Sequence, residues 1–178
     1  NEGAVDIQAI SESGVLSAGV FRGLNNTNAG TINITSFLTL GSAGGLGGEE
    51  GGVSFVRGQT AALMTVGAGT SVNAAGGAIH VAGAGTHGMT AQRGTLLNEG
   101  LITVDGMQRF LDNEGVPTDE KALYTPNGTG NVASMALRGT GMHLRTSGSM
   151  MNTGTLTVTN SGAGMYAAGT STAINQGT

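Results

Sequence analysis

The chain has 178 residues, a formal net charge of −4, glycine at 34 positions and no cysteine. Without cysteine there is neither a disulfide framework nor a thiolate metal site, and the seven Lys and Arg form no basic stripe for nucleic acid or an anionic membrane surface. The glycines keep no three-residue period, which excludes a collagen helix, and no apolar run approaches the ~20 residues of a membrane-spanning helix.

In chain order, Asn1-Glu2-Gly3 is a turn signal that runs into Ala4-Val5-Asp6-Ile7, where apolar and polar residues alternate as in a half-buried strand. The phrase returns as Asn28-Ala29-Gly30-Thr31-Ile32-Asn33-Ile34. Residues 41–52 are mostly glycine with Glu49 and Glu50. They lack the Lys or helix start of a phosphate cradle and are predicted to be a surface loop. A looser, longer copy spans Asn73 to Val81. Clear copies then follow at Asn98-Glu99-Gly100-Leu101-Ile102-Thr103-Val104, Asn152-Thr153-Gly154-Thr155-Leu156-Thr157-Val158 and Asn175-Gln176-Gly177-Thr178. Gly88-Met89, Gly141-Met142 and Gly164-Met165 each precede the matching Asn by about ten residues. Two phrases in step define a repeat, and a period of about 23 to 27 residues belongs to solenoids.

The pattern predicts an all-β parallel β-helix (β-solenoid) of about seven rungs, the two wide intervals being counted as degenerate pairs, with one or two inserted loops. Val5 and Ile7, Ile32 and Ile34, Ile102 and Val104, and Leu156 and Val158 are expected to face inward and stack. Leu97, Met151 and Ile174 are expected to form a second inward column. The methionines serve as core filler. Asn before Gly suits a left-handed corner, and Asn28, Asn98, Asn152 and Asn175 are placed to stack as an amide ladder. Outward positions on the strands carry Thr31, Asn33, Thr35, Thr103, Asp105, Thr155, Thr157 and Thr159.

Residues 107–127 break the repeat and hold both prolines, the single Lys and four of the eleven acids. This charged insertion is read as a loop or short helix, with Asp119 to Leu123 as the helical turn and Phe110 and Tyr124 anchoring its base. A functional reading makes it a recognition loop through Arg109, Asp112, Glu114, Asp119, Glu120, Lys121 and Tyr124. The plainer reading is a tolerated insertion with a solvated acidic face.

Catalysis by β-helical lyases and hydrolases needs paired carboxylates on one sheet face. Here Asp6 and Asp105 fall in distant rungs, and Glu49 and Glu50 in a glycine loop, so the chain is read as not an enzyme, with no catalytic residue. His80, His87 and His143 lack the spacing of a zinc motif and are read as unliganded, and no metal or cofactor is expected.

Gly164 to Thr178, the stretch from about Arg138 onward, and Gly88 to Val104 resemble the repeats of β-helical passenger domains of bacterial autotransporters, in particular self-associating adhesins. The resemblance implies a right-handed parallel β-helix, a single segment (1–178) cut from a longer passenger, and export through the outer membrane of a Gram-negative cell to its surface. It further implies a non-enzymatic adhesin that drives aggregation, biofilm formation or host attachment. The outward Thr, Asn and Asp rows would then be its contact surface. Its partners would be the same protein on neighbouring cells, or a host surface glycan or protein, with no nucleic acid and no membrane contact by this segment. The alternative is a glycan-degrading or glycan-binding β-helix that uses the inserted loop.

Overall fold

The computed structural model describes residues 1–11, 18–39, 60–83, 85–112, 114–123 and 139–178. These hold fifteen strands in two sheets. The predicted glycine loop at 41–52, and Tyr124 with the rest of the insertion to residue 127, lie outside the described residues.

Each turn of the coil begins at an asparagine corner, Asn-x-Gly except at Asn73, where Ala74-Ala75-Gly76-Gly77 follow, and enters the first sheet. The strands that follow the corners are β1 (Ala4–Ser11), β3 (Thr31–Thr39), β5 (Ala78–Ala82), β8 (Leu101–Asp105) and β13 (Thr155–Thr159), and they pair in parallel in that order. The chain then crosses to the second sheet. The early turns contribute one long strand each, β2 (Ala18–Asn28) and β4 (Thr60–Asn73). The later turns contribute two: β6 (Thr86–Ala91) and β7 (Thr95–Asn98), β11 (Thr140–Leu144) and β12 (Ser147–Asn152), and β14 (Ala163–Ala167) and β15 (Thr170–Asn175).

This register gives five turns among the described residues, not seven. Asn28 pairs with Asn73, 45 residues on, and Asn98 with Asn152, 54 residues on. Among the described residues the corners at either end of each wide interval are therefore direct neighbours in the stack, one turn apart.

The expected aliphatic columns are present. Ile32, Ile79 and Ile102 are register partners and fully buried, as are Ile34, Val81 and Val104 to within a few per cent. Val5 and Ile7 continue them at one end and Leu156 and Val158 at the other. Leu63, Met89, Met142 and Met150 pack against them from the second sheet, in line with methionine as filler. The second column is shifted by one residue from its expected place. Leu96 and Met150 are buried, whereas Leu97 and Met151 are half-buried and Ile174 is exposed. The cause is the asparagine that follows: its side chain turns inward, and strand alternation then sends the residue before it outward.

The ladder is longer than predicted. Asn1 donates Nδ2–H to Asn28 Oδ1 (3.0 Å), Asn28 to Asn73 (2.8 Å), Asn73 to Asn98 (2.8 Å), Asn98 to Asn152 (2.6 Å) and Asn152 to Asn175 (2.7 Å). Each nitrogen also faces backbone carbonyls, as Asn98 does those of Gly100 and Thr155, and this fixes the orientation of the amide. Left-handed backbone is not the reason for Asn here. Among described non-glycine residues only Asn160 has a positive φ. The corner glycine is required by contact: a Cβ on Gly30 would lie 2.1 Å from Gly3 O, and one on Gly154 2.1 Å from Gly100 O.

The insertion is built into the fold as a hairpin. Its strand β9 (Met107–Leu111) runs parallel to the end of β3, and β10 (Pro117–Leu123) runs antiparallel to β9. The expected helical turn at Asp119 to Leu123 is therefore a strand, because β9 supplies its backbone partners. Phe110 anchors the hairpin as predicted, fully buried with Leu111 beside it.

Candidate functional site

The outward side chains of the first sheet fall into three rows. Thr31, Ala78, Leu101 and Thr155 form one; Asp6, Asn33, His80, Thr103 and Thr157 the next; Gln8, Thr35, Ala82, Asp105 and Thr159 the third. Asn33, Thr35, Thr103, Asp105, Thr157 and Thr159 line one open cleft of about 330 Å³, joined there by His80, with Ile34, Val81 and Val104 beneath. Thr31 and Thr155 lie outside it. The sequence marks His80 only as an unliganded histidine, although the register of the repeat aligns it with Asn33 and Thr103.

The rows are cross-linked along the stack. Asn33 Nδ2 donates to Asp6 Oδ1 at 2.5 Å, and His80 Nδ1 meets Thr103 Oγ1 at 2.6 Å. Asp105 closes one end of the cleft. Its Oδ2 pairs with Arg109 at 2.8 Å, while Oδ1 accepts from Met107 N–H (3.1 Å) and Asn160 Nδ2 (3.0 Å). The strand residue Asp105 and the insertion residue Arg109, assigned to separate surfaces by sequence, thus meet across the bend at Gly106.

The other insertion residues are divided. Asp112 holds the hairpin turn, its Oδ1 accepting from Glu114 N–H (3.0 Å) and Val116 N–H (2.7 Å). Glu114 and Asp119 are exposed. Glu120 and Lys121 lie in β10, with Lys121 opposite Arg109 in register. Asp6 and Asp105 sit in different rows three turns apart. Among the described residues no three His, Cys, Asp or Glu side chains gather as a metal site.

A second polar group lies on the second sheet, and sequence reading missed it. His87 and His143 are 0% and 5% exposed, their ring centroids 5.2 Å apart, and the Tyr166 ring meets His143 at 5.2 Å with a 58° tilt. Burial, with the charges of His143 and Arg145, lowers the His87 pKa to about 3. Burial and Arg145 lower that of His143 to about 4. Both rings are neutral near pH 7.

A coil of parallel strands with stacked core columns and an internal asparagine ladder is a parallel β-helix, and pectate lyase-like domains are the right-handed form of that class. The chain belongs to the family described as the BigA third pectate lyase-like domain, whose model matches residues 1–178. It is 35% identical over 159 residues to the Salmonella typhimurium protein named "Putative surface-exposed virulence protein BigA". The match takes in 86% of this chain and 8% of that protein, so the chain spans a small part of its relative's length. No solved structure matches it.

Proposed function

We propose that this chain is a non-enzymatic adhesive segment of a bacterial surface protein of autotransporter type, with the polar face of the first sheet as its contact surface. The observation that carries the proposal is the gathering of Asn33, Thr35, Thr103, Asp105, Thr157 and Thr159 into one in-register cleft. The relative's printed name supports a place at the cell surface. Each hydroxyl or amide offers one weak hydrogen bond, but a rigid array presents them together, and effective concentration converts weak contacts into avidity. The same rows on a copy from a neighbouring cell are the partner, which leads to aggregation and biofilm growth. Catalysis has no place in this reading, since Asp105 is already held by Arg109, Asn160 and the Met107 amide.

A second reading is favoured by the same cleft. Clustered hydroxyl, amide and imidazole groups also suit the hydroxyls of a host glycan, with the β9–β10 hairpin alongside. Beads coated with the chain separate the two. Self-adhesion predicts clumping without any added ligand, lost in Asn33→Ala/Thr103→Ala/Thr157→Ala and kept when residues 112–116 are shortened. Beads that stay dispersed but bind a glycan array would replace the first reading with the second.

A further inference from the structure

Among the described residues, four buried side-chain nitrogen or oxygen atoms have no hydrogen-bond partner, and three of them belong to one cluster: His87 Nε2, Thr90 Oγ1 and His143 Nδ1. Thr90 is the register partner of His143, and the two imidazoles lie 5.2 Å apart with a 50° tilt. A buried polar group left unpaired costs about 1–3 kcal/mol. Valine or leucine would fill the same strand positions without that cost, so three such groups in one cluster call for a guest that pairs them. The core does not supply it. A Cβ on Gly88 would lie 2.7 Å from Ile102 Cγ2, and Met89 belongs to the core cluster, so the two residues between His87 and Thr90 are those turned inward.

The chemistry of the cluster selects the guest. His87 Nδ1 lies 2.7 Å from Thr140 Oγ1. With the hydroxyl accepting, the proton stays on Nδ1 and Nε2 presents its lone pair, the arrangement in which metal-bound imidazoles are commonly held. Both rings are neutral at physiological pH, as metal ligation requires. Two imidazole nitrogens that share one tetrahedral ion at ~2.0–2.1 Å place their ring centroids about 5 Å apart, and the 5.2 Å centroid spacing of the pair is compatible with that.

We propose that His87 Nε2 and His143 Nδ1 bind one divalent transition-metal ion of the imidazole-preferring kind, Zn²⁺ or Cu²⁺, with the Thr90 hydroxyl and water completing its coordination. The burial and the Arg145 charge that disfavour a proton on these rings also oppose the ion's charge, so they weaken the site. The competing occupant is a single buried water, which can also satisfy three polar groups.

Calorimetric titration of the untagged chain with ZnCl₂ tests the assignment. The expected result is one Zn²⁺ per chain, with affinity at least tenfold weaker in His87→Gln and in His143→Gln and unchanged in His80→Gln, whose ring lies on the other sheet. Imidazole ¹⁵N spectra of the unsubstituted chain give a readout that does not depend on how the variants fold: Zn²⁺ should shift the His87 and His143 nitrogens and leave those of His80 in place. No uptake of Zn²⁺ or Cu²⁺, or uptake that moves only His80, would overturn the proposal and leave the water as occupant.

Discussion

Asn98 shows how much one side chain carries in this fold. It accepts from Asn73, donates to Asn152 and donates to the carbonyls of Gly100 and Thr155, all within a buried corner. Asn98→Ala would leave the Asn152 Oδ1 acceptor without its donor, while Asn73 Nδ2 keeps the carbonyls of Gly77 and Leu101, so a loss of about 1–3 kcal/mol is expected in urea unfolding. The histidines make a different residue-scale prediction. The folded-state pKa values of His87 and His143 fall from the ordinary 6.5 to about 3 and about 4, chiefly through burial. Between those values and 6.5 the unfolded chain binds more protons than the folded one, so stability rises with pH across the window and is lost on acidification from neutrality. Urea midpoints measured from pH 7 to pH 4 should fall, and the slope should flatten in His87→Gln/His143→Gln. An equal slope in that variant would assign the acid response to other groups.

At the scale of the element, the repeated corner explains both what the sequence revealed and what it hid. The ladder and the Ile32, Ile79 and Ile102 column were legible because one phrase recurs with its alternation intact. The rung count was not, because an interval of twice the period looks the same whether it holds two turns or one turn with an excursion; only the pairing of Asn28 with Asn73 and Asn98 with Asn152 separates them. Leu97, Met151 and Ile174 misled because they are as apolar as true core residues, and only the inward amide beside them sets their direction. Asp119 to Leu123 read as a helical turn on local propensity, which pairing with β9 overrides. Of the candidate site, the outward rows were legible from register, whereas the Asp105–Arg109 pair depends on how the chain passes from β8 to β9, and the His87–His143 pair on the stacking of β6 and β11 across the second wide interval. The corner also yields a paired test. A Cβ on Gly30 would meet Gly3 O at 2.1 Å, but one on Gly3 meets nothing within 4 Å. Gly30→Ala should cost about 1–3 kcal/mol as an overpacked site, and Gly3→Ala no more than about 0.5 kcal/mol as a surface change, both read from urea midpoints.

For the whole molecule, the proposed adhesion would share its source with stability, because the stacking that buries the Ile and Met columns also aligns the polar rows outside. Each turn is held mainly by its neighbours, and the five described turns present a short contact strip. The chain covers 8% of its Salmonella relative, and a strip of this length is expected to give weak association that a longer array would multiply. The hairpin stands beside this strip and is fastened into it by Phe110 and Arg109. Removal of residues 107–127 would therefore damage the core, and its part in binding is better probed by shortening the 112–116 turn.

The most direct test is sedimentation of the purified chain over a wide concentration range, beside Asn33→Ala/Thr103→Ala/Thr157→Ala. Contact through the first sheet predicts reversible, concentration-dependent association of the unsubstituted chain and a monomer for the variant at every concentration. A strict monomer in both, or association that the three substitutions leave unchanged, would contradict it.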